Sequence, residues 1–166
     1  AVCSRRVQIP AVYDMIAPIT ELMMHLESSP AVRNRSVAVI TKFLTEYPMS
    51  RDKLKSHIDL YIGNLQYSEP GGRHAMLQLI KTLILRFPTP VLREEALVFF
   101  IPLVNSMTSD ADAGVKEKAS EVIVALISNT GLDVVLPTVK RWLNSGDSAF
   151  RATALQSLLP TITAAA

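Results

Sequence analysis

The chain has 166 residues, of which 49% are hydrophobic and 19% are charged, and its formal net charge at pH 7 is +2. This composition supplies a sizeable core, while the small net charge gives no support for a nucleic-acid-binding class. The single cysteine, Cys3, excludes an intramolecular disulfide framework and is typical of a reducing compartment. The uncharged run from 96 to 109 is too short to span a membrane, so we expect no membrane partner.

A helix-bending residue followed by a basic residue recurs four times along the chain. The pairs are Pro18 with Arg33, Gly63 with Arg73, Pro102 with Lys116, and Pro137 with Arg151. Successive basic residues of these pairs are 40, 43 and 35 positions apart. A period of about 40 residues that holds two helices is typical of HEAT and armadillo repeats.

Each period contains an apolar first helix and an amphipathic second helix. The first helices are predicted over 12–26, 54–65, 91–107 and 134–143, and a proline bends three of them from inside. The second helices begin near the basic residues and carry apolar side chains at spacings of three and four, which places them on one stripe. Small residues within this pattern, Ser36, Ala119 and Ala154, predict positions where two helices approach closely.

Capping residues mark several helix starts. Ser29 and Thr89 each stand directly before a proline, and a side-chain oxygen followed by proline favours the first turn of a helix. Asp110 and Asp112 faintly resemble a calcium loop, but the third oxygen ligand and the glycine of such a loop are missing. Helix N-capping is therefore the preferred interpretation of these two carboxylates.

These patterns predict an all-α protein, a HEAT/armadillo-type α-solenoid of about four helical hairpins. Its approximate repeats are 10–47, 48–88, 89–129 and 130–166, in one segment over 1–166, and the stretch 2–8 predicts part of a further hairpin. Residues 152–166 carry no charged side chain. Because the last repeat of a solenoid needs a polar outer face, we expect this chain to be a fragment of a longer solenoid.

The sequence offers no candidate catalytic, cofactor-binding or metal site. His25, His57 and His74 fall on different helices or helix starts, without the spacing of metal ligands. His57 and Asp59 project from two sides of a predicted helix and are interpreted as a surface pair. We therefore expect a protein that is not an enzyme and that uses no cofactor.

Basic side chains at the starts of the second helices and beside Trp142 are the candidate partner-binding residues. They form what we call the basic ladder: Arg33, Arg35, Arg73, Lys116, Lys118, Lys140, Arg141 and Arg151. Lys42, Lys81 and Arg86 on the second helices are further candidates.

Two interpretations of the basic ladder remain open. In the functional interpretation the cations contact phosphates or an acidic protein. In the structural interpretation each cation pairs with carboxylates or carbonyls of the adjacent repeat, and this is favoured because the basic position belongs to the repeat pattern. Trp142 is likewise either an exposed anchor for a partner or a half-buried side chain between repeats, and the second use is preferred.

The stretch from Tyr47 to Leu126 is similar to one known family. In order and spacing it resembles a segment of the very large HEAT-repeat component of the small-subunit processome, the down-regulated-in-metastasis family. The likeness rests on YPM at 47–49, HIDLYIGNLQYSEPGGRHAML at 57–77, FP at 87–88 and FFIPL at 99–103. These residues occupy packing and turn positions, so the resemblance implies no catalytic residue.

The resemblance implies a non-catalytic scaffold of the nucleolus that takes part in ribosome small-subunit biogenesis and pre-ribosomal RNA processing. Members of this family associate with the box C/D small nucleolar RNA that directs early cleavages of pre-ribosomal RNA. The implied partners are proteins of the pre-ribosomal particle and neighbouring repeats of the parent chain, with pre-ribosomal or small nucleolar RNA as a further candidate. The alternatives are a generic HEAT-repeat interaction scaffold, such as a transport receptor or a kinase-associated solenoid, and a helical appendage of an enzyme.

Overall fold

The computed structural model describes residues 10–25 and 27–165, and within these ranges the regular structure is helical, without a strand. The α-helices of this part are α1 (Pro10–Met24), α2 (Pro30–Glu46), α3 (Arg51–Gly63), α4 (Pro70–Arg86), α5 (Thr89–Glu94), α6 (Ala96–Ser109), α7 (Ala113–Thr130), α8 (Leu136–Leu143) and α9 (Ser148–Ala165). Short 3₁₀ turns follow α3 at Asn64–Gln66 and precede α8 at Leu132–Val134. The all-α prediction is confirmed. The stretch 2–8 and Cys3 lie outside the described residues.

None of the helices in the described ranges combines the length and the apolar character needed to cross a bilayer.

Side-chain caps begin several of the helices. The Ser29 hydroxyl accepts a hydrogen bond from the Val32 backbone N–H at 3.3 Å, and the Asp112 carboxylate accepts one from Val115 at 2.9 Å. Both caps agree with the sequence prediction, and Ser50 caps α3 in the same way. Each cap satisfies a backbone donor that the first helical turn leaves without a partner.

The third and fourth predicted first helices differ from the structure. The helix predicted over 91–107 is divided at Glu95 into α5 and α6, and Thr89 is the first residue of α5 and not its cap. Pro137 lies in the first turn of α8 and not inside a helix. A proline is tolerated there because that turn needs no backbone N–H from it, so Pro137 starts a helix and bends none.

The remaining helix-bending residues are placed as follows. Pro18 lies inside α1 and Pro102 inside α6, as predicted, and Pro160 lies inside α9 without having been predicted. Gly63 is the last residue of α3, where the chain tightens into the 3₁₀ turn. The predicted repeat boundaries stay predictions, and α2, α4 and α7 end at Glu46, Arg86 and Thr130.

The chain divides after Arg86 into two compact units, and the first unit is built from α1 to α4. In it α1 packs on α2 and α4, and α2 packs on α4. Its core side chains include residues without any exposed surface, namely Met23, Ile40, Phe43, Met76, Ile80 and Leu83. Ser36 is 5% exposed, which agrees with the predicted close helix contact at this small residue.

The second unit begins at Phe87 and contains α5 to α9. Here α6 packs on α7, and α9 packs on both α7 and α8. Ala119 and Ala154 are completely buried, as expected for small residues at close helix contacts. Trp142 on α8 is 9% exposed and stacks on Phe100 of α6, with ring centroids 6.0 Å apart. Trp142 therefore packs in the core of this unit and is no exposed anchor.

One face of α9 is apolar and exposed. Leu155, Leu159 and Ile162 have exposed fractions of 62%, 73% and 63%, at spacings that place them on one stripe. An apolar stripe of this kind is what a neighbouring helix covers in stacked repeats. That a further repeat follows stays a prediction.

Gly72 allows α4 to approach α1, which gives a test of this packing. A β-carbon at Gly72 would lie 2.4 Å from Cδ1 of Tyr67 and 3.1 Å from the carbonyl oxygen of Met24. We expect Gly72→Ala to lower the free energy of unfolding by about 1–2 kcal/mol, because the overpacking outweighs the gain in helix propensity. Urea denaturation monitored by circular dichroism measures this difference.

Gly63→Ala is the matched control, because no atom lies within 4 Å of a β-carbon at Gly63. Helix propensity alone should make this variant equal to or more stable than the unsubstituted chain, by up to about 1 kcal/mol. Equal responses of the two variants would contradict the steric role of Gly72.

Candidate partner-binding surface

Three arginines of the basic ladder turn back onto the turns that precede their own helices. The Arg73 guanidinium donates from Nη1 to the carbonyls of Tyr67 at 2.8 Å and Ser68 at 2.9 Å. Arg151 donates in the same way to the carbonyl of Ser145 at 2.7 Å. All three carbonyls lie five or six residues before the arginine that binds them, in the same helical hairpin. These arginines therefore fasten the turns between paired helices.

Arg33 repeats this arrangement at the start of α2. Its Nη2 atom donates to the carbonyl of His25, at the end of α1, over 3.2 Å. The same guanidinium also approaches α4, since a β-carbon at Gly71 would lie 3.3 Å from Nη2. The structural interpretation of the basic ladder expected carbonyls of the adjacent repeat, whereas these three arginines bond carbonyls of their own hairpin. The reason is geometric, because an arginine one turn inside a helix reaches the loop just before it.

The turn between α6 and α7, in the third predicted repeat, uses acidic side chains. The Asp110 carboxylate accepts from the backbone N–H of Asp112 at 2.8 Å, and Asp112 in turn caps α7. Lys116 at the start of α7 is half-buried. In the described part of the chain, no group of three or more His, Cys, Asp or Glu side chains is placed to hold a metal ion. The faint likeness of this turn to a calcium loop is thus explained by helix capping.

The other members of the basic ladder lie on separate elements. Arg35 is exposed on α2, and Lys118 on α7 forms an ion pair with Glu121 at 2.9 Å. Lys140 and Arg141 are exposed in the last turn of α8, where cations interact favourably with the helix dipole. The residues of the basic ladder thus lie at turns, in an ion pair and on exposed helix faces. Its role in partner binding stays a prediction.

A groove lies between α2 and α4 in the first unit. Its volume is about 340 Å³, and the residues that line it are Asn34, Val37, Ala38, Thr41, Lys42, Thr45, Glu46, Gln78, Thr82 and Arg86. Lys42 and Arg86 were predicted from the sequence as further candidates, whereas the amides and hydroxyls around them were not. The amide of Gln78 and the hydroxyl of Thr82 could have been found from their spacing of four residues, which places them on one face of α4 together with Arg86.

Arg93 makes a contact that sequence reasoning missed. Its Nη2 atom lies 2.6 Å from Oδ2 of Asp133, and its Nη1 atom donates to the carbonyl of Thr130. The hydrogen bond from Arg93, together with its charge, lowers the pKa of Asp133 below the usual range. Gly131 supports this turn with a φ of 91°, in the region that favours glycine. Arg93 thus joins α5 to the turn that follows α7.

His57 belongs to an aromatic cluster and not to a surface pair. Its ring meets Phe43 edge-on at 5.5 Å and stacks near Tyr61 at 6.2 Å, while Asp59 bonds Lys55 at 3.3 Å. Burial lowers the pKa of His57, and the positive charge of Lys53 lowers it further. The surface interpretation was wrong because the spacing alone did not fix which face of α3 is covered.

Comparison with known proteins gives two relatives. No family model matches this chain. Over 152 residues, 90% of its length, the chain is 30% identical to U3 small nucleolar RNA-associated protein 20 of Saccharomyces cerevisiae. The predicted family resemblance is confirmed. The protein of the same name from Schizosaccharomyces pombe is 23% identical over 145 residues, 86% of this chain.

The chain spans 6% of the length of each of these yeast proteins. Among solved structures, the crystal structure of an engineered protein aligns with 93% of this chain and 66% of its own, at 14% identity. The TM-score of that alignment is 0.45, which is too low to establish a shared fold.

The lowered pKa of His57 predicts a pH dependence of stability. Because the unfolded chain takes up this proton at a higher pH than the folded chain, stability falls as the pH drops below about 6.5. We expect His57→Gln to lose less stability than the unsubstituted chain between pH 7.5 and pH 5.5. Urea unfolding midpoints at the two pH values measure this. His25→Gln, at an exposed histidine, serves as the control and should keep the loss of stability that His57 causes.

The hydrogen bonds of Arg73 predict a structural role for this residue. Arg73→Met leaves the carbonyls of Tyr67 and Ser68 without these donors, so we expect the free energy of unfolding to fall by about 2 kcal/mol. Arg35→Met is the matched control and should change it by less than about 0.5 kcal/mol, since Arg35 is exposed. Chemical denaturation compares the two, and equal losses would rule out a specific role for the Arg73 contacts.

Proposed function

We propose that this chain is part of a non-catalytic scaffold in ribosome small-subunit biogenesis, which supports pre-ribosomal RNA processing and assembly of the nucleolar processome. The observation that carries this proposal is the similarity to two yeast proteins, both named U3 small nucleolar RNA-associated protein 20, over 90% and 86% of the chain. Because a scaffold of this kind works in the nucleolus, the proposed location is nucleolar.

The physical properties of the chain are consistent with a scaffold. In each of the two units, paired helices present exposed faces beside a packed core, and such surfaces suit the binding of extended partners. Three of the arginines that sequence analysis offered as contacts are used within the fold, at the turns before α2, α4 and α9. We therefore propose that this segment contacts proteins of the pre-ribosomal particle and neighbouring repeats, and that the parent chain makes its RNA contacts elsewhere.

Affinity recovery of the full-length parent from cells tests the proposed function. We expect pre-ribosomal RNA and the box C/D guide RNA to be recovered together with the parent, well above the level recovered with an unrelated HEAT-repeat protein. The parent should also sediment with early small-subunit precursor particles. Recovery of neither RNA would overturn the processome proposal and leave a general HEAT-repeat scaffold.

The non-catalytic part of the proposal has its own test. After depletion of the parent, rescue of pre-ribosomal RNA processing should require roughly one parent molecule per precursor particle, because a scaffold acts by staying bound. Quantitative titration of the rescuing protein against the amount of precursor measures this. Full rescue by a small catalytic amount would contradict the scaffold mechanism.

A further inference from the structure

We propose that the groove between α2 and α4 binds an extended acidic segment of a partner protein. This inference deepens the proposed scaffold function and rests on it, since it names the chemistry of one contact. It is carried by the shape of the groove, by the side chains along it and by one buried hydroxyl.

The shape of the groove fits an extended chain. Its lining on α2 reaches from Asn34 to Glu46, a length of about 18 Å at 1.5 Å per helical residue. On α4 it follows Gln78, Thr82 and Arg86, one residue per turn. An extended peptide advances about 3.3 Å per residue, so roughly five residues occupy this length.

The polar side chains suit a peptide backbone. Asn34 and Gln78 line the groove from opposite helices, and both are exposed. Each side-chain amide carries a donor and an acceptor, as a peptide unit does. Each amide can therefore form hydrogen bonds with the backbone of a bound segment. Because these contacts involve the backbone, they hold a segment without fixing its sequence.

The charges in the groove favour carboxylates on the partner. Lys42 and Arg86 bring two positive charges, and Glu46 brings one negative charge. Lys42 and Glu46 lie 3.5 Å apart, with side chains 48% and 50% exposed. An exposed ion pair of this kind contributes little to stability, so Lys42 can turn to a carboxylate of the partner at small cost.

The same lining disfavours single-stranded RNA. None of the described residues that line the groove is aromatic, so bases find no stacking platform there. Glu46 places a negative charge where a phosphate backbone would run. An acidic protein segment can instead space its carboxylates to meet Lys42 and Arg86 and avoid Glu46.

Thr41 adds an independent observation. It lines the groove and is 7% exposed, and within the described part of the chain its hydroxyl has no hydrogen-bond partner. The neighbouring Thr45 and Thr82 hydroxyls donate to the carbonyls four residues earlier, at 2.9 Å and 2.8 Å. A buried hydroxyl without a partner destabilises the free fold, and an acceptor on a bound segment removes that penalty. Thr41 thus adds this buried hydroxyl to the lining of the groove, and we infer that a hydrogen-bond acceptor on the bound segment satisfies it.

Fluorescence anisotropy with the 166-residue chain tests this inference directly. The probe is a fluorescein-labelled peptide of ten alternating Glu and Ser residues, compared with its Lys–Ser counterpart and with a ten-nucleotide uridine RNA. We expect the acidic peptide to bind most tightly. Thr41→Val and Arg86→Gln should each weaken its binding by about fivefold or more, because each removes one polar contact. Lys55→Gln removes one charge from α3, outside the groove, and should change the affinity less than about twofold.

Thermal unfolding provides a second readout that needs no ligand. Thr41→Val keeps the side-chain shape and removes the unpaired hydroxyl, so its midpoint should rise by about 2–4 °C while its affinity for the acidic peptide falls. A lowered midpoint would show that the hydroxyl is paired within the fold and would overturn the inference. Tighter binding of the uridine RNA or the Lys–Ser peptide, or equal binding by the groove variants and Lys55→Gln, would also overturn it. These failures leave the proposed function standing, since recovery of pre-ribosomal RNA with the parent tests that separately.

Discussion

The turn between the two helices of each pair is the constraint on which the remaining structure depends. A helix end leaves backbone carbonyls without partners, and a buried or half-buried turn must satisfy them from nearby donors. Arg73 and Arg151 provide these donors from the first turn of the following helix. The turn and the start of the second helix are thereby fixed together, which sets where that helix lies against its neighbours.

This constraint changes how the periodic basic residues are understood. A cation that recurs at the same place in each repeat suggests a continuous charged surface, yet three of these cations are arginines that donate to carbonyls at the turns before α2, α4 and α9. Arg73 is 9% exposed, which leaves little of it for a partner. The third hairpin supports the local explanation, because Asp110 and Asp112 organise its turn with acceptors for backbone N–H groups. The arginines satisfy backbone carbonyls and the aspartates satisfy backbone N–H groups, so the two meet opposite halves of the hydrogen-bonding requirement at a turn.

Local features could be predicted from the sequence, and features that depend on distant contacts could not. The Ser29 cap was predicted from the proline directly after it, and both Ser29 and Asp112 accept from a backbone N–H three residues on, so the local sequence was sufficient. An interior proline and a first-turn proline are nearly identical in sequence, and Pro137 was therefore misplaced. Arg93 and Asp133 are 40 residues apart, and nothing in either local sequence indicates that a hairpin brings them together.

The residues that carry the family likeness are different from the residues that line the candidate groove. The matching stretches at 47–49, 57–77, 87–88 and 99–103 include core and turn residues such as Tyr47, Leu65 and Phe100, which are 3%, 3% and 0% exposed. None of the residues that line the groove between α2 and α4 falls within these stretches. The stretches that carry the likeness therefore reflect how the helices pack, and they do not include the side chains that line the groove. A core of this kind fixes where α2 and α4 lie, while exposed side chains such as Asn34, Gln78 and Arg86 set the chemistry of the groove between them.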